Sequence, residues 1–217
     1  GSKDKKINIE KNLKIINSKL GSKSKLIYLV KQVHSNKFVF LNNKSNIKNR
    51  NFVGDAIISE KKGLPIAILT ADCVPILIFD KKRKMIAAIH AGWKGAFKGV
   101  INKVIKFMLK KGCNRKDIIV AIGPSITQKN YNVKLDFKNK FIKKHKKNKI
   151  FFKNRNKLIY FDLPNYIKSQ LKFNKISKID MINIDTYDKK NNFFSARRSL
   201  KLKHDDYGRN ISIIMIN

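Results

Sequence analysis

The sequence predicts an α+β fold, a single-domain mixed β-sheet sandwich flanked by helices, on three observations. First, 217 residues without an internal repeat or low-complexity linker suit one domain, residues 3–217, once the leading Gly1-Ser2 is set aside as a cloning scar. Second, PIAILTA, VPILIFD and KMIAAIH in mid-chain are short, nearly uninterrupted apolar runs, the pattern of strands covered on both faces. Third, Phe97, Val100, Ile101, Val104, Ile105, Met108 and Leu109 follow directly at helical spacing.

The remaining elements follow in order. In INIEKNLKIINSKLG, Ile9, Leu13, Ile16 and Leu20 are helix-spaced and Gly21 is a stop signal. KLIYLVKQVHS reads as a strand with His34 at its far end, KFVFLNN as a second short strand and KSNIKNRN as a polar loop. GDAIIS starts another strand, with Gly54 and Asp55 at its entry. After the three central strands, AFKGVINKVIKFMLKKG reads as one helix closed by Gly112, and DIIVAIGPSI as a buried strand running into a Gly123-Pro124 turn. KLDFKNKFIKKHKKNKIFFKN reads as a helix and an exposed loop. KLIYFDL, PNYIKSQLKF and KISKIDMINIDTYD read as strand, helix with Pro164 near its first turn, and strand. NNFFSARRS is expected to be a loop or strand edge, and RNISIIMIN the last strand. Three or four helices among mixed strands complete the α+β assignment.

Fifty Lys and Arg against fourteen Asp and Glu give a formal charge of +36, ordinarily a sign of nucleic acid or an anionic membrane. Only seven of the fifty are Arg, however, while Lys, Asn and Ile are inflated throughout, the joint bias of an AT-rich coding sequence. The charge therefore bears on solubility and on non-specific, salt-sensitive nucleic-acid binding, and no sequence-reading nucleic-acid motif accompanies it. The longest apolar stretch, LPIAILTADCVPILIF, is interrupted by Thr70, Asp72 and Pro75, short of the ~20 apolar residues of a spanning helix. No membrane partner is expected. Cys73 and Cys113 form no disulfide framework, which fits a reducing compartment and a cytoplasmic location.

Three residues with chemistry stand where apolar strands end: His34, Cys73 and His90. Thiolate and imidazole suit a borderline-soft divalent ion, and catalytic zinc uses three protein ligands with one open position. The same atoms would serve a Cys73 nucleophile with His90 or His34 as base, or could be ordinary core residues. Spacings of 39 and 17 residues match no local metal signature, so these readings stay open. In GWKGAFKGV, Gly92 and Gly95 permit tight turns, and a helix starting near Gly95 would aim free N–H groups beside Lys94 at an anion. Trp93, the sole tryptophan, either lines a pocket or caps the core. Arg197 and Arg198 are either a phosphate-holding fork or a solvated pair. His145 and His204 lie in solvated stretches, and Cys113 is read as structural.

Taken together, KQVHS, GDAIIS, LTADCVPILIFD, AAIHAGWKG, AIGPSI followed by YNV, and FFSARRS followed by YGR resemble one family, in its order and approximate spacing. This is the laccase-domain family, also called the polyphenol oxidase or peptidoglycan editing factor family and described as multifunctional purine nucleoside enzymes. The resemblance runs from about Ile9 to the C-terminus. It implies a fold related to the catalytic domain of cytotoxic necrotizing factor toxins, and a catalytic zinc on His34 of QVH, Cys73 of TADC and His90 of HAGW. It also implies phosphorolysis of adenosine, inosine or methylthioadenosine, and adenosine deamination by water of lowered pKa, with a purine nucleoside and phosphate as partners. We expect Arg197, Arg198 or the Lys94-Gly95 turn to hold the phosphate.

Two departures bear on substrate specificity rather than zinc ligation. Nothing here matches the Gly-Val-Ser-Thr-Arg-like segment that usually precedes the helix placed at Ile9, and Asp185-Thr186 stands where Cys-Thr is usual. Competing readings are a Cys73–His90 hydrolase or peptidoglycan-precursor editing protein, a copper-dependent polyphenol oxidase, and a nucleic-acid-binding module without catalysis. Copper ranks low because blue-copper sites add a weak axial ligand and multicopper chemistry needs more than four histidines.

Overall fold

The computed structural model describes residues 3–21, 24, 26–45, 47 and 51–217; Gly1-Ser2 and part of the KSNIKNRN loop lie outside the described residues. In chain order the elements are α1 (Lys6–Lys19), β1 (Phe38–Leu41), β2 (Ala56–Ser59), β3 (Ile66–Thr70), β4 (Val74–Asp80) and β5 (Met85–Ala91). Then come α2 (Trp93–Phe97), α3 (Val100–Lys110), β6 (Ile118–Ile122), β7 (Asn132–Val133), α4 (Leu135–Lys144) and a 3-10 segment at Lys146–Phe151. The chain continues through β8 (Phe152–Arg155), β9 (Leu158–Phe161), α5 (Leu163–Phe173), β10 (Lys178–Met181), a 3-10 turn at Lys189–Asn191, α6 (Ala196–Lys201) and β11 (Asn210–Ile214).

Six strands form one mixed sheet in the order β1-β2-β5-β4-β6-β10, parallel at its two outer pairs and antiparallel inside. Side chains alternate across it. Ala56, Ile58, Ala87 and Ile89 pack with Val100, Ile101, Val104 and Ile105 of α3 and Ile167 and Leu171 of α5. Ile57, Ile86 and Ala88 face the other way, onto Ile66 and Ile68 of the antiparallel pair β3–β11. Both faces of β5 are thus covered, and all seven of its residues are buried. That is why no polar residue interrupts MIAAI. The helix α1 lies over the outside of β3–β11 through Leu13 and Ile16. A third sheet, β7-β9-β8, closes on α4 through the rings of Phe137, Phe141, Phe152 and Phe161, with Phe141 and Phe161 at 4.8 Å.

Local readings change at four places. The expected strand in KLIYLVKQVHS makes only isolated bridges at Tyr28 and Lys31, although Ile27 to Val30 are buried. Beside β3 the side-chain amide of Gln32 replaces the ladder, donating to the Leu69 carbonyl at 2.7 Å and accepting from the Leu69 N–H at 2.8 Å. The single helix expected from Ala96 is two, because Gly99 turns left-handed at φ +83° between α2 and α3. The loop expected after α4 folds inward, burying Asn148 and Phe151 before β8. NNFFSARRS is the cap and first residues of α6, where the Ser195 hydroxyl accepts from the Arg198 N–H at 3.1 Å. The described residues therefore hold six α-helices rather than three or four. None is long and apolar enough to cross a membrane.

Candidate metal centre

Two turns and a strand end bring His34, Cys73 and His90 together, and their ligand atoms lie within 4.8 Å of one another. His90 comes at the end of β5, Cys73 in the turn between β3 and β4, and His34 in the turn ahead of β1. The last two turns are held in conformations that ordinary residues rarely adopt: His34 has φ +57° and Asp72 φ +80°. Each is fixed by a carboxylate.

Asp55, fully buried, fixes the first. Its two oxygens accept from the backbone N–H groups of Val33 (3.2 Å), His34 (2.9 Å) and Ser35 (2.5 Å) and from the Ser35 hydroxyl (2.7 Å). The same carboxylate lies 2.8 Å from Nδ1 of His90, and its backbone carbonyl accepts the His90 N–H at 2.7 Å. With the proton on Nδ1 pointing at Asp55, the Nε2 lone pair of His90 is turned toward Cys73. Asp72 fixes the second turn, accepting from the Thr186 hydroxyl at 2.8 Å and from the Arg197 N–H at 2.6 Å. The Cys73 turn is thereby tied to the start of α6.

Electrostatics sharpen the donor set. Burial opposes ionisation of the Cys73 thiol, but the His90 charge and hydrogen bonds from His34 and His90 hold it down to about 6. Burial likewise opposes protonation of His90, yet the thiolate and Asp55 raise it to about 9. For Asp55, burial works against the carboxylate, and the His90 and Ser35 hydrogen bonds prevail, lowering it to about 2.

These residues fit a tetrahedral divalent ion. Bond lengths of about 2.3 Å to sulfur and 2.0 Å to nitrogen at a tetrahedral angle put the two donors roughly 3.5 Å apart. Cys73 Sγ and His34 Nε2 are 3.7 Å apart. The His34 and His90 rings meet edge-on at 4.7 Å, so neither stacks across the space between the donors. His34 is exposed and His90 is buried, which leaves the centre open on one side.

Gly92 is part of this fit, because a Cβ there would sit 2.8 Å from both Cys73 Sγ and His34 Cδ2. Gly92→Ala is expected to push a ligand aside and weaken metal binding about tenfold or more, measured by chelator competition. Unchanged affinity would show the three donors do not act together. Binding must also displace protons. Between pH about 6 and about 9 one proton leaves His90, so affinity rises roughly tenfold per pH unit; below about 6 the Cys73 proton steepens the slope. Calorimetry in buffers of different ionisation enthalpy reads that proton directly, and no proton release at pH 7.5 would contradict it.

An open pocket of about 880 Å³, lined among others by Trp93, Tyr131, Phe137, Lys140 and Arg197, adjoins the centre through Trp93, next to Gly92, and through Arg197, whose N–H is bonded to Asp72. Burial, and next the charge of Cys73, raise the Tyr131 phenol above its ordinary range, so it stays neutral. The two arginines part company here. Arg197 lies over the Tyr131 ring at 5.2 Å and donates through Nη1 to the backbone and side-chain oxygens of Asn132, lining the pocket. Arg198 donates to the carbonyls of Thr186, Tyr187 and Phe193 and pins that loop. Lys94 is exposed with its ammonium 5.7 Å from the Trp93 ring. Gly95 is buried, and a Cβ there would lie 2.8 Å from the Ser35 carbonyl, so its smallness lets α2 pack on the His34 turn. The helix starts at Trp93, two residues before Gly95, and spans five residues.

Asp55, Asp72 and Tyr131 are the site neighbours that the sequence did not mark. In the sequence Gly54-Asp55 is only the entry to a strand, and the fold reveals that its carboxylate joins two distant ligands. His145 accepts from the Lys147 N–H, and neither it nor His204 belongs to a ligand cluster among the described residues.

Known proteins are similar to this chain in sequence and in fold. The family model described as multi-copper polyphenol oxidoreductase laccase matches residues 1–217. A purine nucleoside phosphorylase of Rickettsia conorii is 34% identical over 191 residues, 87% of this chain and 77% of that protein. One of Rickettsia prowazekii is 34% identical over 196 residues, 89% of this chain and 80% of that protein. The crystal structure of the Bacillus licheniformis hypothetical protein YfiH superposes with a TM-score of 0.90 at 22% identity, covering 100% of this chain and 84% of that one. YlmD from Geobacillus stearothermophilus gives 0.86 at 20% identity, covering 100% and 83%. With the model matched along its full length and relatives above 30% identity over most of theirs, this chain belongs to the multi-copper polyphenol oxidoreductase laccase family.

Proposed function

We propose that the protein is a zinc-dependent purine nucleoside phosphorylase acting on adenosine, inosine or methylthioadenosine, with adenosine deaminase activity at the same centre. The observation that carries this reading is the His34–Cys73–His90 group opening beside a pocket lined by Trp93, Tyr131 and Arg197. Relatives named purine nucleoside phosphorylases support it. Zinc bound there would supply a Lewis acid and, for deamination, hydroxide at neutral pH.

The protein's own groups account for the rest. Trp93 and Tyr131 offer aromatic walls for a purine. Arg197 commits Nη1 to Asn132 and, among the described residues, keeps Nη2 and Nε for an anion, so we assign the phosphate to Arg197 rather than Arg198 or the Lys94-Gly95 turn. Phosphate held there and aligned with C1′ needs only a short displacement as the purine leaves.

Zinc is preferred to copper because the described residues offer one thiolate–imidazole group and no second cluster for multicopper chemistry. The purified zinc-loaded protein should release free base from adenosine or inosine in the presence of phosphate. Absence of both base release and inosine formation from adenosine would remove the proposal. The low thiol pKa and the 3.7 Å approach of Cys73 to His34 favour one second reading, a Cys-His hydrolase, including action on a peptidoglycan precursor. Activity that survives alkylation of the metal-free protein would exclude it.

A further inference from the structure

We propose that Asp72 is a positioning residue for phosphate: one carboxylate holds both the turn that carries Cys73 and the backbone of Arg197, and so fixes where the Arg197 guanidinium stands relative to the metal centre. This rests on the assignment of phosphate to Arg197 above and deepens it.

The tie is short and shielded. Asp72 precedes Cys73 in the chain and is 8% exposed. One of its oxygens accepts from the Arg197 N–H at 2.6 Å, the other from the hydroxyl of the fully buried Thr186 at 2.8 Å. Little water competes for these bonds, so each is stronger than it would be at the surface.

The two neighbouring arginines differ in how they depend on it. Arg198 is anchored without Asp72: the Ser195 hydroxyl accepts its N–H, and its guanidinium donates to three carbonyls. Arg197 is the second residue of the six-residue α6, where the helix itself supplies no acceptor for its N–H, and Asp72 supplies one. At its other end Nη1 donates to Asn132, which belongs to β7 of the third sheet. Arg197 therefore spans from the metal-side turn to the pocket wall, tied by Asp72 at its backbone and by Asn132 at its tip. Without the first tie a donor is left unmatched and the guanidinium keeps only the second.

The backbone of Asp72 allows side chain and turn to be tested apart. Its φ of +80° is a conformation that glycine and asparagine adopt at least cost, and its carbonyl accepts from the Ile126 N–H at 3.0 Å whatever the side chain. Asp72→Gly keeps the turn and removes both carboxylate acceptors. Asp72→Asn keeps the turn and an oxygen for the Arg197 N–H, because its NH₂ can face the Thr186 hydroxyl, which accepts as well as donates. Charge alone predicts the opposite result, since removing a carboxylate near an anion site should tighten anion binding in both variants.

Calorimetric titration of the zinc-loaded proteins with inorganic phosphate at physiological ionic strength reads the difference without turnover. Asp72→Gly should keep its zinc and bind phosphate about tenfold more weakly than wild type, and Asp72→Asn should recover the loss. In turnover the phosphate KM of Asp72→Gly should rise by more than kcat falls. Arg197→Gln should abolish the saturable binding, separating it from the general charge of the chain. Wild-type phosphate affinity in Asp72→Gly overturns the inference, as does an Asp72→Asn protein no better than Asp72→Gly. Zinc lost together with phosphate overturns it too, because the effect then runs through Cys73, and so does phosphate binding that survives Arg197→Gln. A wild type that binds phosphate but releases no base from adenosine or inosine removes the purine reading, and the same titration still decides the role of Asp72.

Discussion

Cys73→Ala is expected to yield a folded protein that no longer retains stoichiometric zinc and has lost phosphorolysis with it. Structural zinc sites in small peptides are worth roughly 10–16 kcal/mol in total, so one of three ligands accounts for about 3 kcal/mol or more, at least a hundredfold in affinity. Thiolate is the donor most specific to zinc in this set, and His34 and His90 alone leave two imidazoles with no charge to neutralise the ion. Folding should survive, because Cys73 is only half-buried and lies outside the three core clusters. Metal content after dialysis, paired with base release from adenosine, checks both halves. One retained zinc per chain would sink the metal-centre assignment. Loss of zinc with full phosphorolysis would instead separate the activity from the metal.

How far the sequence foretold this centre depends on the range of each force. The central strands were legible because β4 and β5 are covered on both faces, so apolar residues run on almost without interruption, all buried in β5 and all but Leu77 and Phe79 buried in β4. The segment at Tyr28–Gln32 misled because its burial is that of a strand while its hydrogen bonds run through one side-chain amide, which periodicity does not register. The helix at Arg197–Arg198 was missed for a related reason: α6 spans six residues, too few for a 3.6-residue stripe, and is fixed by Ser195 and by Asp72 from a distant turn. Gly99 lies inside a stripe of helical spacing, and the break there is decided by tertiary geometry. The ligands themselves gave no spacing signature, and only the ordered motifs around them singled them out. Their supporting carboxylates gave still less. Asp55 and Asp72 each sit beside a strand end, where acidic residues commonly mark turns, and nothing local distinguishes a turn former from a clamp.

Asp55→Asn tests that clamp, and its effect is expected to rival that of a lost ligand. The change keeps shape and removes one acceptor. In the native site one oxygen pair receives donors from both sides: three backbone N–H groups and a hydroxyl from residues 33–35, and Nδ1–H of His90. An asparagine must turn its NH₂ toward one of them. If it faces the 33–35 turn, donors confront donors and the left-handed His34 backbone loses its support. If it faces His90, it donates to Nδ1 and drives the ring proton to Nε2, the atom needed for the metal. Either way one imidazole is lost as a pre-aimed ligand. Metal affinity should fall about 10- to 100-fold, the usual cost of removing a carboxylate behind a ligating histidine. Stability should fall by about 3 kcal/mol at neutral pH, since a buried partner is left unmatched. The pH dependence gives a further signature. Asp55 is lowered from 3.8 to about 2 in the folded protein, so its charge contributes fully above pH 4 and the contribution is lost as pH falls through about 2. That shift corresponds to about 2 kcal/mol, so the gap in urea midpoint between wild type and variant should narrow over this window. Nitrogen NMR of His90 should show the proton on Nδ1 in the zinc-loaded wild type, and on Nε2 in the variant wherever the amide NH₂ faces His90. A variant that binds zinc with wild-type affinity and keeps the Nδ1 proton would show that His90 is aimed by β5 alone and that Asp55 serves only the His34 turn.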